Sequence, residues 1–563
     1  MTKSLAGFAI LGTLILGACS DSNDSGGAER VEASSMDVMI ESPAPNIADG
    51  TDTNLVTATL YIPEHAPGDR YPLVLHGHGW GGDRYSQSDV DANDPVAGVD
   101  LSNSPNIFTA IDRNVEALWN AGYAVISFDQ RGFGRGDDGD DGTSDGAHVM
   151  DPMFEIVDVQ AIIDWAAANE DLSLIMDGPG DPRVGAIGGS YGGAYQNLTA
   201  AVDDRLDALV PTATWFSLAQ SLGPNNVIKK GYATGLCLLA TTDGAQLASE
   251  TEASCQEGAF NQTSKLQEDL SETSQQIFLT HGLNAYVEAG TPLPAHDVLL
   301  LQGNRDILFD LTQAIALYDA WSAAGGEVRF ISHENGHSLT QTRNGPGSQG
   351  PLGPGTCGDI DVIDAMNAWL DHKLRGAALE LPEICISLDD TSGALVETIS
   401  RGEAAYTVEL PETSILATQH NNSFSEADEA IFVGLTDPIV GDNLVLAGQP
   451  NGQFTVTDAG LEEGVVFIGV GIERDGSRFL VDQQVTPLRS SDVRSGDATA
   501  TIPLAGVGER LQDGDVVGLL VYGQFDQFEN ETRTNWNGNA ANVSGQVALP
   551  IVEAVISQRV TPE

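Results

Sequence analysis

Between residues 55 and 375 short apolar runs alternate with longer amphipathic ones. "LVTATLYIP", "YPLVLHGHG", "AVISFDQRG", "RVGAIGGS", "LDALVPTATW", "DVLLLQGNRD" and "EVRFISHE" have the length and β-branched content of strands. Between them, "IFTAIDRNVEALWNAGY", "YGGAYQNLTAAV", "LTQAIALYDAWSAAG" and "DIDVIDAMNAWLDHKLRG" read as helices, as does "FEIVDVQAIIDWAAA", with Phe154, Val157, Ala161 and Trp165 at helical spacing. Strands alternating with helices predict right-handed crossovers and a mostly parallel sheet with helices on both faces. The rhythm breaks over about residues 217–295, a stretch rich in Ser, Thr, Gln and Glu that predicts a helical cap inserted between two strands.

After Cys385 the pattern changes to short runs such as "AAYTVEL", "GVVFIGVGI" and "VVGLLVYGQF", divided by Gly, Asp and Asn turns. This spacing predicts a β-sandwich or jelly roll over 388–563. At the other end, "MTKSLAGFAILGTLILGACS" has Lys3 and an apolar run from Leu5 to Leu16, too short to span a bilayer permanently. "SDSNDSGGAER" then reads as a disordered tether. The expected plan is a signal segment over 1–19, a flexible tether over 20–50, a catalytic domain over 51–387 and the β domain over 388–563.

Charge narrows the partners. Asp and Glu number 81 against 25 Lys and Arg, a formal net charge of −56. Such a chain repels phosphate backbones, which argues against a nucleic-acid partner; the acidity reads as a solvated surface suited to salty surroundings. Of the five cysteines, Cys237, Cys255, Cys357 and Cys385 suggest two disulfides in an exported protein, and sequence proximity favours Cys237–Cys255 and Cys357–Cys385 among three possible pairings. No C-x-x-C and no His/Cys cluster points to structural zinc, and no metal is expected.

Two stretches fit G-x-S-x-G, around Ser144 and around Ser190, and context separates them. Ser190 follows the apolar strand "RVGAIG" and opens a helix, the strand–turn–helix setting of a nucleophile elbow. Ser144 lies in "GDDGDDGTSDGAH", a loop whose acidic run over 137–146 lacks the spacing of an EF-hand calcium site. A serine hydroxyl needs a base, and the base needs an orienting acid. Asp306 at the end of "LLLQGNRD" is the expected acid, with Asp310 as runner-up. His337, in the loop after "FISHE" and beside Gly336, is the expected base, while His333 is placed in the strand as a structural histidine. The oxyanion donors are expected to be the backbone N–H groups of Tyr191 and, reading "HGWGG" as a His-Gly-x pattern, of Trp80; His78 is the alternative register. His76 and His78 then serve as structural supports.

These residues resemble the X-Pro dipeptidyl-peptidase-like group of α/β-hydrolases, which includes the cocaine esterase type (CocE/NonD). The resemblance is carried by "IIDWAAA" with "RVGAIGGSYGGAYQ", by "AVISFDQRGFGRG", by "LLLQGNRDILFD" and by "ENGHS"; it extends more weakly to "VVFIGVGIERDGSRFLVDQQVTPLR" and "LQDGDVVGLLV", similar to the jelly roll that ends many members. It implies an α/β-hydrolase fold, a Ser190–Asp306–His337 triad and no cofactor. Members of the cocaine-esterase type are expected to use a tyrosine side chain in the oxyanion hole, where this chain has "HGWGG". The N-terminal "LGAC" likewise resembles the bacterial lipobox, which implies lipidation of Cys19, and Ser20 after it resembles the outer-membrane sorting signal. The expected protein is therefore a lipid-anchored serine hydrolase of the bacterial cell envelope. It would act on a small ester or peptide substrate, with carboxylesterase favoured over X-Pro dipeptidyl peptidase. Acyl transfer to an alcohol or sugar uses the same residues. The reading of another class is a lipid-tethered surface binding protein with an inert hydrolase scaffold.

Overall fold

A computed structural model describes residues 30–91, 107–134, 145–242, 245–260, 265–337, 355–388, 392–402, 405–414, 430–441, 443–458, 465–489, 501–523, 525, 528 and 540–558. Cys19, Ser144 and most of the acidic run over 137–146 lie outside the described residues.

The molecule is organised by one large sheet. Its strands are β1 (Ser34–Ser42), β2 (Asn54–Ile62), β3 (Leu73–Gly77), β4 (Ala124–Phe128), β5 (Val184–Gly189), β6 (Leu206–Thr212), β7 (Val298–Gly303), β8 (Val328–His333), β9 (Ile384–Ser387), β10 (Ser392–Val396) and β11 (Val555–Gln558). They lie in the order β1-β2-β4-β3-β5-β6-β7-β8-β9-β10-β11. The run from β4 to β9 is parallel, and the pairs beyond it on both sides are antiparallel. The central strands are largely apolar because they face two cores. Leu73 and Leu75 point to one, with the helix Glu155–Ala168; Val74 points to the other, with the helices Ile107–Asn120 and Val362–Arg375.

Two expectations are corrected here. The tether over 20–50 does not run its full length as a tether, because Ser34–Ser42 forms β1. Its alternation explains this: Met36, Val38 and Ile40 stand opposite Leu60, Ala58 and Val56 of β2, so pairing sets one apolar face together, with Ile40 and the three β2 residues buried and Met36 left exposed at the edge. The boundary at 388 is also not clean. β10 and β11, both beyond it, complete the large sheet, with Ala394 and Ile556 packed on its core. The β region thus shares the hydrolase sheet.

The rest of the C-terminal region forms antiparallel sheets of four, five and three strands around a core that includes Val408, Phe454, Ile468, Leu519 and Val547. Strands Leu444–Gly448 and Val507–Arg510 belong to it and were not anticipated from sequence. The described residues of 217–295 include short helices, among them Lys230–Thr242, Ser249–Cys255 and Glu272–Thr280. Cys237–Cys255 joins the first two of these, and Cys357–Cys385 ties β9 to the short hairpin of Thr356–Cys357 and Ile360–Asp361.

Candidate active site

Ser190 sits between β5 and the helix Tyr191–Ala200, with φ 57° and ψ −116°. A non-glycine residue in that region is strained and persists only where its surroundings dictate it. Here they do. Ser190 N–H donates to Thr212 O (2.9 Å), and Thr214 Oγ1 donates to Ser190 O (2.9 Å). The flanking glycines are required by close approach: a Cβ on Gly192 would lie 1.9 Å from Gly77 O, and one on Gly188, whose φ is 151°, would lie 2.4 Å from the same oxygen. Only glycine lets the helix start press this tightly on β3.

Asp306 and His337 follow the carboxyl ends of β7 and β8, where parallel sheets place their chemistry. The structure brings both to Ser190. His337 Nε2 lies 3.0 Å from Ser190 Oγ, and His337 Nδ1 lies 2.7 Å from Asp306 Oδ2. All three side chains are buried. Asp306 Oδ1 accepts from the N–H groups of Leu308 and Phe309 (both 2.9 Å), while Gln302 Nε2 donates to Oδ2 (3.2 Å). The imidazole is flanked by the rings of Phe108 and Phe309, at centroid distances of 4.9 and 5.1 Å. The carboxylate therefore has its ligands fixed before any substrate arrives, and the ring its tautomer.

The runner-up residues have other work. Asp310 caps the helix Leu311–Ala324, its Oδ1 accepting from Thr312 N–H (2.9 Å). His333 ends β8 and is buried, with its pKa lowered by burial to about 4; its Nδ1 accepts from Asn335 N–H (3.3 Å). His76 meets Ser127 Oγ (2.8 Å) and Asp112 Oδ1 (3.1 Å).

His78 supports the "HGWGG" turn. Burial lowers its pKa to about 4, so the ring is neutral. Its Nε2 accepts from Gln130 N–H (3.0 Å), which leaves Nδ1 as the donor to Gly79 O (2.7 Å). Gly82 N–H donates to the same carbonyl (3.0 Å). Gly79 C=O and Trp80 N–H belong to one planar trans peptide, so fixing the carbonyl turns the Trp80 N–H the opposite way. A Cβ on Gly79 would stand 3.9 Å from Ser190 Cβ, so this turn runs beside the serine. Tyr191, as the first residue of its helix, has an N–H with no acceptor four residues back.

Ser190, Trp80 and Tyr191 line a pocket of about 100 Å³. Its remaining lining is almost wholly apolar: Val149, Trp215 and Phe309 near the sheet, and Leu222, Leu270, Ile277 and Phe278 from the cap. Trp80 Nε1 donates to Leu236 O of the cap (2.9 Å).

Sequence reasoning missed three groups that hold the acid turn. Lys229, buried in the cap, donates through Nζ to Ile307 O (2.8 Å) and Leu308 O (3.2 Å), and burial lowers its pKa. Gln484, from the C-terminal β region, donates through Nε2 to Asn304 O (2.8 Å) and Asp306 O (2.9 Å). Gln302 is the third, and the only one with a local signal, on β7 four residues before Asp306.

The fold and this constellation define an α/β-hydrolase. A family model described as X-Pro dipeptidyl-peptidase (S15 family) matches residues 49–339, just over half of the chain and a span that holds Ser190, Asp306 and His337. The chain belongs to that family. Among curated proteins, an uncharacterized 31.7 kDa protein of the traX-finO intergenic region of Escherichia coli is 28% identical over 155 residues, which is 28% of this chain and 41% of that protein's length. Among solved structures, an aminopeptidase from a marine sediment Thaumarchaeota archaeon aligns with a TM-score of 0.59 at 15% identity, over 92% of this chain and 96% of that one. A CocE/NonD family hydrolase from Staphylococcus aureus aligns with a TM-score of 0.53 at 13% identity, over 92% and 97%. At these identities the structural likeness speaks for the fold.

Proposed function

We propose that the protein is a serine hydrolase of the bacterial cell envelope that cleaves carboxylic esters through an acyl-enzyme on Ser190. The observation that carries the reading is the chain of contacts from Asp306 through His337 to Ser190 Oγ, at 2.7 and 3.0 Å, beside an apolar pocket. His337 Nε2 takes the Ser190 proton as Oγ attacks the ester carbon. The oxyanion is met by the N–H groups of Tyr191 and Trp80. His337 then returns the proton to the leaving alkoxide. A water, deprotonated by the same nitrogen, releases the acid and restores Ser190. The cycle balances without a cofactor.

Ester cleavage is favoured over X-Pro dipeptide release by the pocket's chemistry. A peptide's free ammonium would be desolvated among aromatic and aliphatic side chains, and none of the described lining residues carries a charge to pair with it. Family membership keeps the peptidase as the second reading. Location rests on the lipobox-like "LGAC" and lipidation of Cys19.

A paired assay on residues 20–563 decides between the two. p-Nitrophenyl butyrate turnover that Ser190→Ala abolishes, without Ala-Pro-p-nitroanilide turnover, supports the esterase. Anilide turnover of similar efficiency makes it a dipeptidyl peptidase. Neither activity in folded protein returns the weight to a surface binding protein.

A further inference from the structure

The cap wall of the pocket contains a glycine that the backbone does not need. Residues Gln256–Phe260 form a π-helical turn directly after the helix Ser249–Cys255, with Gly258 at its centre. Such turns insert an extra residue into a helix and recur at functional sites. This one is pinned: Lys230 Nζ, itself buried, donates to Gly258 O (2.6 Å), and Cys237–Cys255 ties the preceding helix to Lys230–Thr242.

A glycine is usually demanded by one of two things, a left-handed φ or a neighbour too close for a Cβ. Neither holds at 258. Its φ is outside the left-handed range, and a Cβ there would meet only Leu270 Cδ2, at 4.0 Å. Gly223 in the same cap shows the contrast, since a Cβ there would lie 2.6 Å from Leu266 Cδ1. What Gly258 does do is line the pocket together with Leu270 and Ala259. The side chain it lacks is pocket volume.

We propose that Gly258 is a specificity-determining residue and that the pocket takes the acyl group of esters of short apolar acids, of about four to five carbons. The size follows from the volume: an apolar cavity of roughly 150 Å³ admits benzene, so about 100 Å³ admits correspondingly less. This rests on the reading of Ser190 as the nucleophile of an ester hydrolase. Each methylene bound in an apolar pocket is worth roughly ten- to two-hundred-fold in kcat/KM.

The test compares wild type, Gly258→Ala and Gly258→Leu on p-nitrophenyl acetate, butyrate and octanoate. Wild type is expected to prefer butyrate to acetate by about tenfold or more. Gly258→Leu should lower the butyrate-to-acetate ratio at least about tenfold while acetate turnover changes by no more than about threefold, with Gly258→Ala in between. A ratio unchanged in folded Gly258→Leu protein overturns the proposal, as does equal loss on both esters. A second measurement needs no chemistry: 2-hexanone should raise the melting temperature of Ser190→Ala protein and fail to do so for Ser190→Ala/Gly258→Leu. If wild type cleaves no ester but the ketone still discriminates, the esterase reading falls and the role of Gly258 stands. Equal stabilisation of both proteins removes that role.

Discussion

Ser190 is held by its own strand–helix turn and by two neighbouring strands, with Gly188 and Gly192 set against Gly77 and with hydrogen bonds to Thr212 and Thr214. Asp306 is held differently. Its turn is gripped by Lys229, 78 residues before Ile307 in the cap, and by Gln484, 178 residues after Asp306 in the β region. Ser190 is thus fixed locally, and the Asp306 turn is a joint between three parts of the chain. Damage to the first should stop chemistry outright. Damage to the distant supports of the second should leave a folded enzyme with a misaligned base.

The largest effect is expected from Ser190→Ala. Removing the nucleophile of a triad costs on the order of 10⁶ in kcat, whereas Ser144→Ala should leave turnover intact. Equal loss from the two substitutions in a burst and steady-state assay would falsify the elbow assignment. Asp306→Asn comes next, with a loss of about 10⁴ in kcat, because the amide favours the wrong imidazole tautomer. An Asp310→Asn variant as damaged in kcat as Asp306→Asn would transfer the role to Asp310, against its position as a helix cap.

Gln484→Met sharpens the comparison most, since the residue's side chain bonds to Asn304 O and Asp306 O rather than to Ser190 or His337, and it comes from the C-terminal β region. It keeps the side chain's length and removes both donations to the acid turn. A displacement of about 1 Å at a catalytic group can cost about 10²-fold, so kcat should fall roughly ten- to a hundred-fold with KM within about threefold. A lower melting temperature with unaltered kcat would make Gln484 a structural residue only.

This contrast also explains what could be read from the sequence. Ser190 was legible because an elbow writes itself locally, in a strand followed by glycines at fixed offsets. Asp306 and His337 were placed by their positions just past predicted strand ends, which needs only periodicity. Gln484 and Lys229 carry no such mark. A glutamine in "DQQV" and a lysine in "VIKK" look like surface residues until the fold buries them against backbone carbonyls. The same limit hid the place of β11, which is decided by pairing with β10, far upstream in the chain. Gly258 was invisible for the opposite reason: among 63 glycines, only three-dimensional packing shows which one is space.

The smallest expected effect concerns stability, and it again sets one side against the other. His78 supports the "HGWGG" turn beside Ser190, and His333 ends the strand that leads to His337. Burial lowers both pKa values to about 4, against about 6.5 in the unfolded chain. Each ring is therefore neutral in the fold, and the unfolded chain binds the proton first. Their contribution to stability is full above pH 6.5 and is lost as pH falls from there toward 4. Thermal unfolding between pH 7.5 and 4.5 should show the melting temperature declining across that window, less steeply in His78→Gln and in His333→Gln. A wild-type slope retained in both variants would place the acid sensitivity in other groups. Activity measured alongside should separate the sites. His78→Gln loses the ring that fixes the Gly79 carbonyl and should lower kcat, whereas His333→Gln, whose ring accepts from Asn335 N–H, should leave kcat within about twofold.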